Sequence, residues 1–121
     1  DRIGMLVNDT WRACRLVVDT GLHALGWNRQ QAIDHMVAHM PVGVDEITVE
    51  VDRYLAIPAQ ALSYKIGQRE ILRLRHEAEH RLGDRFDLPG FHDAVLGSST
   101  VSLPVLGLIV DDWIHSRTPQ A

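Results

Sequence analysis

With one cysteine, Cys14, in 121 residues, the chain can form no internal disulfide. The default reading of such a residue on an amphipathic helix is a small buried thiol, and a low-pKa catalytic thiol is the rarer alternative. Basic charge is also short: 12 Lys and Arg stand against 16 Asp and Glu, for a net charge of -4 and a pI near 5.9. A nucleic-acid or anionic-membrane partner would need a basic patch, so neither is expected. No apolar run approaches the ~20 residues that span a bilayer, and no basic segment leads into an apolar one as in a signal peptide. Repeats, low-complexity tracts and linkers do not stand out. What is there is ordinary for a soluble globular protein: 45% hydrophobic and 23% charged residues in 13.6 kDa. That length suits one helical domain over residues 1–121, burying about two thirds of its unfolded surface. The composition leaves the cellular compartment open.

The most informative stretch is Trp11 to Ile33, W-R-A-C-R-L-V-V-D-T-G-L-H-A-L-G-W-N-R-Q-Q-A-I. On a helix, Arg12, Arg15, Asp19 and His23 follow at spacings of three, four and four and therefore share a face. Leu16, Val17, Leu22 and Leu25 surround them with apolar surface. A polar set of Arg, Arg, Asp and His without Lys suits either a cleft wall or a buried network that docks the helix against its neighbours.

Helical spacing recurs along the chain, and the fold expected is all-α, a bundle of about five to six helices. The first runs from about Ile3 to Leu25, with Gly21 implying close backbone packing at a cost of roughly 1 kcal/mol relative to Ala. Gly26 stops it and Trp27 folds back on its end. Asn28 and Gln31 form a capping box for the second. Asp45 starts a third, where Thr48, Val49 and Val51 leave a strand conceivable, though no partner strand is evident. Pro58 is expected in the first turn of a long fourth helix ending at Leu82 and Gly83. Asp87 caps Leu88 to Leu96, and Ser102 with Pro104 opens the last helix.

Three segments carry a resemblance to a known family: the stripe just described, Pro58 to Gln68 (P-A-Q-A-L-S-Y-K-I-G-Q), and Leu82 to Gly97 (L-G-D-R-F-D-L-P-G-F-H-D-A-V-L-G). Together they resemble the C-terminal part of the bacterial domain-of-unknown-function 885 family (DUF885), large helical proteins similar to gluzincin-type zinc peptidases. The similarity runs from about Arg12 to Ile114, and Ser99, Thr100 and Val101 depart from the family's turn before the last helix. The family's HExxH motif and downstream glutamate are absent from this segment, and a start at Asp1 with immediate helical pattern fits a fragment cut from a longer parent. The resemblance implies no cofactor in this chain and zinc in the full-length parent. It also implies a peptide-like substrate, docking against the N-terminal part of the parent, and a fragment inactive alone. An apolar face left exposed by such a cut would favour a homodimer.

His76-Glu77-Ala78-Glu79-His80 is a literal HExxH. Imidazoles four apart on a helix can share a zinc, with the glutamate as base. Here Arg75, Glu79 and Arg81 crowd the motif as on a solvated face, and Phe86 stands where a third histidine would be. No metal ligand is therefore assigned. His35 and His39 form a second i,i+4 pair read as surface or packing residues, and His92 is read as capping or packing the short helix. His115 suits the negative end of the last helix dipole.

The candidate site residues are His23 and Tyr64, with Arg12, Arg15 and Gln68 in support. Tyr64 is a lone phenol among small residues, Ala61 and Gly67 lying about one turn either side, which leaves its ring open to a substrate or to core packing. In zinc peptidases of the resembled type, a tyrosine and a histidine from the C-terminal half donate hydrogen bonds to the oxyanion. Carried over, Tyr64 and His23 are the donors, an arginine binds a substrate carboxylate, Gln68 assists binding, and Asp19 orients Arg15 or His23. The competing reading is a non-catalytic helical interaction domain in which the stripe is purely structural.

Overall fold

The computed structural model describes residues 2–118. The architecture is all-α: α1 (Arg2–Ala24), α2 (Arg29–His39), α3 (Val44–Ala56), α4 (Ser63–Leu82), α5 (Leu88–Leu96) and α6 (Leu103–Ser116), with 3₁₀ turns at Gln60–Leu62 and Gly83–Arg85. The residues gather into two compact units, Asp1–Ile66 and Gly67–Ala121, and α4 carries the chain from the first into the second.

In the first unit α1, α2 and α3 pack on one another. Val18, Ala32, Met36, Ile47 and Val51 are fully buried between them, with Cys14 beside them. Burial pushes the Cys14 thiol up from its ordinary pKa, as an inert core cysteine requires. Local chemistry explains the helix ends. Gly26 takes a left-handed φ of 71° after α1, and the Trp27 N–H donates back to the Gly21 carbonyl at 2.9 Å. The Trp27 indole then lies so close to Gly21 that any Cβ there would collide with it. Asn28 Oδ1 accepts from the Gln31 N–H at 2.9 Å while Gln31 Oε1 accepts from the Asn28 N–H at 2.8 Å, the reciprocal capping box of α2. Residues 44–56 are helix despite their β-branched content, with Asp45 and Glu46 in the first turn where the helix dipole favours them.

The fourth helix departs from the expectation at Pro58. It begins five residues later, at Ser63, after Ala59 adopts a left-handed φ of 68° and Gln60–Leu62 form a 3₁₀ turn. The cause is long-range: the Ala59 N–H donates to both carboxylate oxygens of Asp19, 3.1 Å each, and is held out of helical geometry.

The second unit is built on Leu74, Ala78 and Leu82 of α4 against Phe91 of α5 and Leu106, Val110 and Ile114 of α6. Asp87 caps α5 by accepting from the Gly90 N–H, whereas Ser102 has the extended backbone of a cap but contributes no side-chain bond to α6. Pro104 sits in the first turn of α6.

Gly21→Ala tests the Trp27 seat. Helix propensity alone would favour alanine by about 1 kcal/mol, yet the collision with the indole should reverse the sign. The variant is expected to lose about 1–3 kcal/mol, read from urea unfolding midpoints. A stabilised variant would show that Trp27 does not hold this seat.

Candidate functional site

The face of α1 predicted to be polar builds one side of an alternating stack. The Arg53 guanidinium lies 5.0 Å from the centroid of the Tyr54 ring, and Arg15 covers that ring at 5.4 Å. Arg15 also covers the Tyr64 ring at 4.7 Å, and Arg12 approaches it at 5.5 Å. The order is therefore Arg53, Tyr54, Arg15, Tyr64, Arg12. Guanidinium planes can sit against aromatic faces while shedding little hydration, because the ring quadrupole attracts the cation. This lets Arg15 be only 8% exposed. Of the two rings, Tyr54 is 1% exposed and Tyr64 46% exposed, so one lies in the core and the other at the surface.

The stack is pinned from the turn before α4. Gln60 Oε1 accepts from Arg15 Nη2 at 3.0 Å and from Arg53 Nη1 at 3.1 Å. Arg53 further donates to both oxygens of Glu50, through Nη2 at 2.6 Å and Nε at 3.0 Å. These bonds hold the Glu50 carboxyl below the usual carboxylate range, the Arg53 hydrogen bonds contributing most. Burial pushes the Tyr54 phenol above its ordinary pKa, with the neighbouring Glu50 charge adding to it. Among the described residues, the Tyr54 hydroxyl makes no well-formed hydrogen bond although Glu50 is close, and Arg15 Nε is likewise buried without a partner. Two donors in one small region are thus left without an acceptor. Trp11, Arg15, Val49, Glu50 and Arg53, with Asp45 and Glu46, line an open cavity of about 640 Å3 next to them.

Of the residues expected at a site, Arg12, Arg15 and Tyr64 are brought together. Asp19, 2% exposed, is engaged by the Ala59 N–H, so the group it positions directly is the turn carrying Gln60 and neither Arg15 nor His23. His23 is exposed, and its Nε2 lies 3.0 Å from the Tyr54 carbonyl. Since a carbonyl only accepts, Nε2 carries the proton there, and the imidazole satisfies a carbonyl in the last turn of α3. Gln68 is exposed on α4, one turn beyond Tyr64. Sequence reasoning assigned no site role to Gln60, Glu50, Arg53 or Tyr54. The available signal was the Glu50-x-x-Arg53-Tyr54 run on α3.

The remaining histidines contribute no ring to the stack. His76 and His80 are exposed, and Glu77 between them is bonded to Arg73 at 2.9 Å and Arg81 at 3.3 Å. Among the described residues no group of three or more His, Cys, Asp or Glu is placed to hold a metal ion. The rings of His35 and His39 stack at 4.3 Å beside Trp27, and burial lowers the His35 pKa. His92 is exposed beside Phe91. His115 lies in the last turn of α6, its Nδ1 2.9 Å from the Asp111 carbonyl. Among the described residues no helix is long and apolar enough to cross a membrane.

The family model for "Bacterial protein of unknown function (DUF885)" matches residues 1–110, and the chain belongs to that family. The crystal structure of "the putative lipoprotein from Colwellia psychrerythraea" is similar over 95% of this chain, with 45% sequence identity and a TM-score of 0.93. The chain spans 20% of that protein's length. No protein of curated function matches the sequence.

Glu50 gives a pH test of the network. Its folded pKa lies below the unfolded value, so its contribution is present above the ordinary carboxylate pKa of about 4.3 and is lost as pH falls through the lower folded value. Between neutral pH and about pH 3.5, the wild type should therefore lose more urea resistance than Glu50→Gln. Asp52, Glu70 and Asp111, also depressed by arginine partners, act equally in both proteins and cancel. Equal acid sensitivity of the two proteins would remove Glu50 from the network.

Proposed function

We propose that this member of the DUF885 family forms the carboxylate-binding wall of a hydrolytic cleft in a longer, zinc-peptidase-like protein. One observation carries the reading. Arg12 and Arg15 both lie over Tyr64, and among the described residues neither is paired with a carboxylate, in a chain whose net charge is -4. Arg29, Arg73 and Arg81 pair with carboxylates, whereas Arg12 and Arg15 are held against the Tyr64 ring and Arg15 on the neutral amide of Gln60. Cations held together without a counterion form a preorganised anion site, since the ordering of their side chains has already occurred before the ligand arrives.

In this reading Arg12 and Arg15 bind the carboxylate of a peptide-like substrate. The phenol of Tyr64, on a partly exposed ring, donates to the oxyanion that develops at the scissile carbonyl. A donor matched to that developing charge stabilises the transition state more than the ground state. His23 can assist only through Nδ1–H of the imidazolium, because Nε2–H is bonded to Tyr54. Among the described residues zinc finds no fitting ligand set: His76 and His80 are an exposed pair whose intervening glutamate is bonded to arginines. In this reading the metal of such a protein belongs to the part outside this chain. That outside part would also cover the exposed apolar side chains of Ile3, Met5 and Leu6.

A second reading, a non-catalytic interaction domain, is favoured by the structural employment of Asp19 and His23, both bonded to backbone. Hydrolysis of short peptides by the full-length protein separates the two. Tyr64→Phe should lower kcat by about 100-fold with little change in KM. Arg12→Met should instead raise KM by about tenfold for peptides with a free C-terminal carboxylate. Unchanged kcat and KM in both variants would leave the interaction domain as the reading.

A further inference from the structure

The bonds of Gln60 suggest what keeps this site open to an anion. Two guanidiniums, those of Arg15 and Arg53, converge on its single amide oxygen at 3.0 and 3.1 Å. A carboxylate would ordinarily stand at such a point, because charge-assisted bonds to arginine are shorter and stronger than those to a neutral amide. Glutamate has the same reach as glutamine, so nothing steric requires the amide. The difference lies in charge. The stack contains three guanidiniums, Arg12, Arg15 and Arg53, of which only Arg53 is bonded to a carboxylate, that of Glu50, while Asp45 and Glu46 line the adjoining cavity. Asp19, the buried acid one turn along α1, has both oxygens on the Ala59 N–H.

We infer that Gln60 is the specificity-determining residue of the site: it fixes Arg15 and Arg53 in place while leaving Arg15 undischarged, which selects ligands that bring a free carboxylate. The inference rests on the carboxylate-binding reading above. Arg15 is held between two aromatic rings and is shielded from water, and its Nε lacks an acceptor. An anion arriving at such a cation is weakly screened, so its attraction is larger than at the open surface. A glutamate at position 60 would provide that anion internally and close the site to others. Gln60 does not itself touch the ligand in this arrangement; it acts through Arg15.

The test compares binding of N-acetylglycine with that of N-acetylglycinamide, its uncharged analogue, to the full-length protein by calorimetry. The wild type should prefer the free acid. Gln60→Glu should lower acid affinity by about tenfold or more while leaving amide affinity and melting temperature unchanged or the latter raised. Gln60→Met, close in size but with no acceptor, should also weaken acid binding, because Arg15 is released from its stacked position. A Gln60→Glu protein that still prefers the acid as the wild type does overturns this inference and leaves the carboxylate-binding reading intact. If Gln60→Glu does not fold, unchanged acid binding by Gln60→Met overturns it instead. No acid preference in the wild type removes the underlying reading and this inference with it.

Discussion

The contact on which the first unit depends is a buried carboxylate meeting a backbone N–H across 40 residues of chain. Asp19 is almost completely out of water, and desolvating a charge at that depth is costly unless it is well bonded. Its bonds to the Ala59 N–H supply the partner, and the helix-favouring run that begins at Pro58 is interrupted there as a consequence. Ala59 occupies a left-handed conformation that an L-residue with a Cβ adopts only at a cost of about 1–2 kcal/mol. Such strain persists because the surrounding bonds over-determine it. The displaced turn presents Gln60 to α1 and α3 together, and an uninterrupted helix from Pro58 would carry that amide elsewhere.

Charge in this chain is divided into two regimes. On α4 the arginines form the i,i+3 and i,i+4 pairs of a solvated face, Arg73 with Glu70 and Glu77 and Arg75 with Glu79, where water screens each pair and its contribution is small. In the stack against Tyr54 and Tyr64 the same residue type is held by rings and one amide. Arginine suits this setting because its plane is weakly hydrated and presents several donors at once. The acidic surplus of the whole chain therefore says little about the local field at Arg12 and Arg15.

Much of the fold could be read from residues because the deciding interactions are local. The Asn28–Gln31 capping box, the Asp87 cap before Pro89, the Gly26 stop and the span Leu88–Leu96 all depend on neighbours within a few positions, and all are found. The Gly21–Trp27 approach was also signalled, since a mid-helix glycine asks for a close neighbour. The start of α4 was not, because its cause lies on a different helix. Within the site, the spacing of Arg12, Arg15 and Asp19 exposed a shared face but could not show what each would meet. Asp19 meets a backbone N–H, Arg15 meets two tyrosines, and His23 meets a carbonyl. Gln60 lay inside a quoted motif yet was silent, since a neutral amide on a turn has no periodicity to betray it.

The turn between α3 and α4 differs from the Gly97–Ser102 connection in how tightly its length is set. Insertion or deletion of one residue among 57–62 would rotate the following helical positions by about 100° and swing the amide off both guanidiniums. Among the described residues the later connection shows only local backbone bonds, such as that from the Ser99 N–H to the Leu96 carbonyl, and no side-chain cap at Ser102, and it has room to vary. Lineages carrying this fold should therefore drift in length at the second junction while the first keeps its residue count.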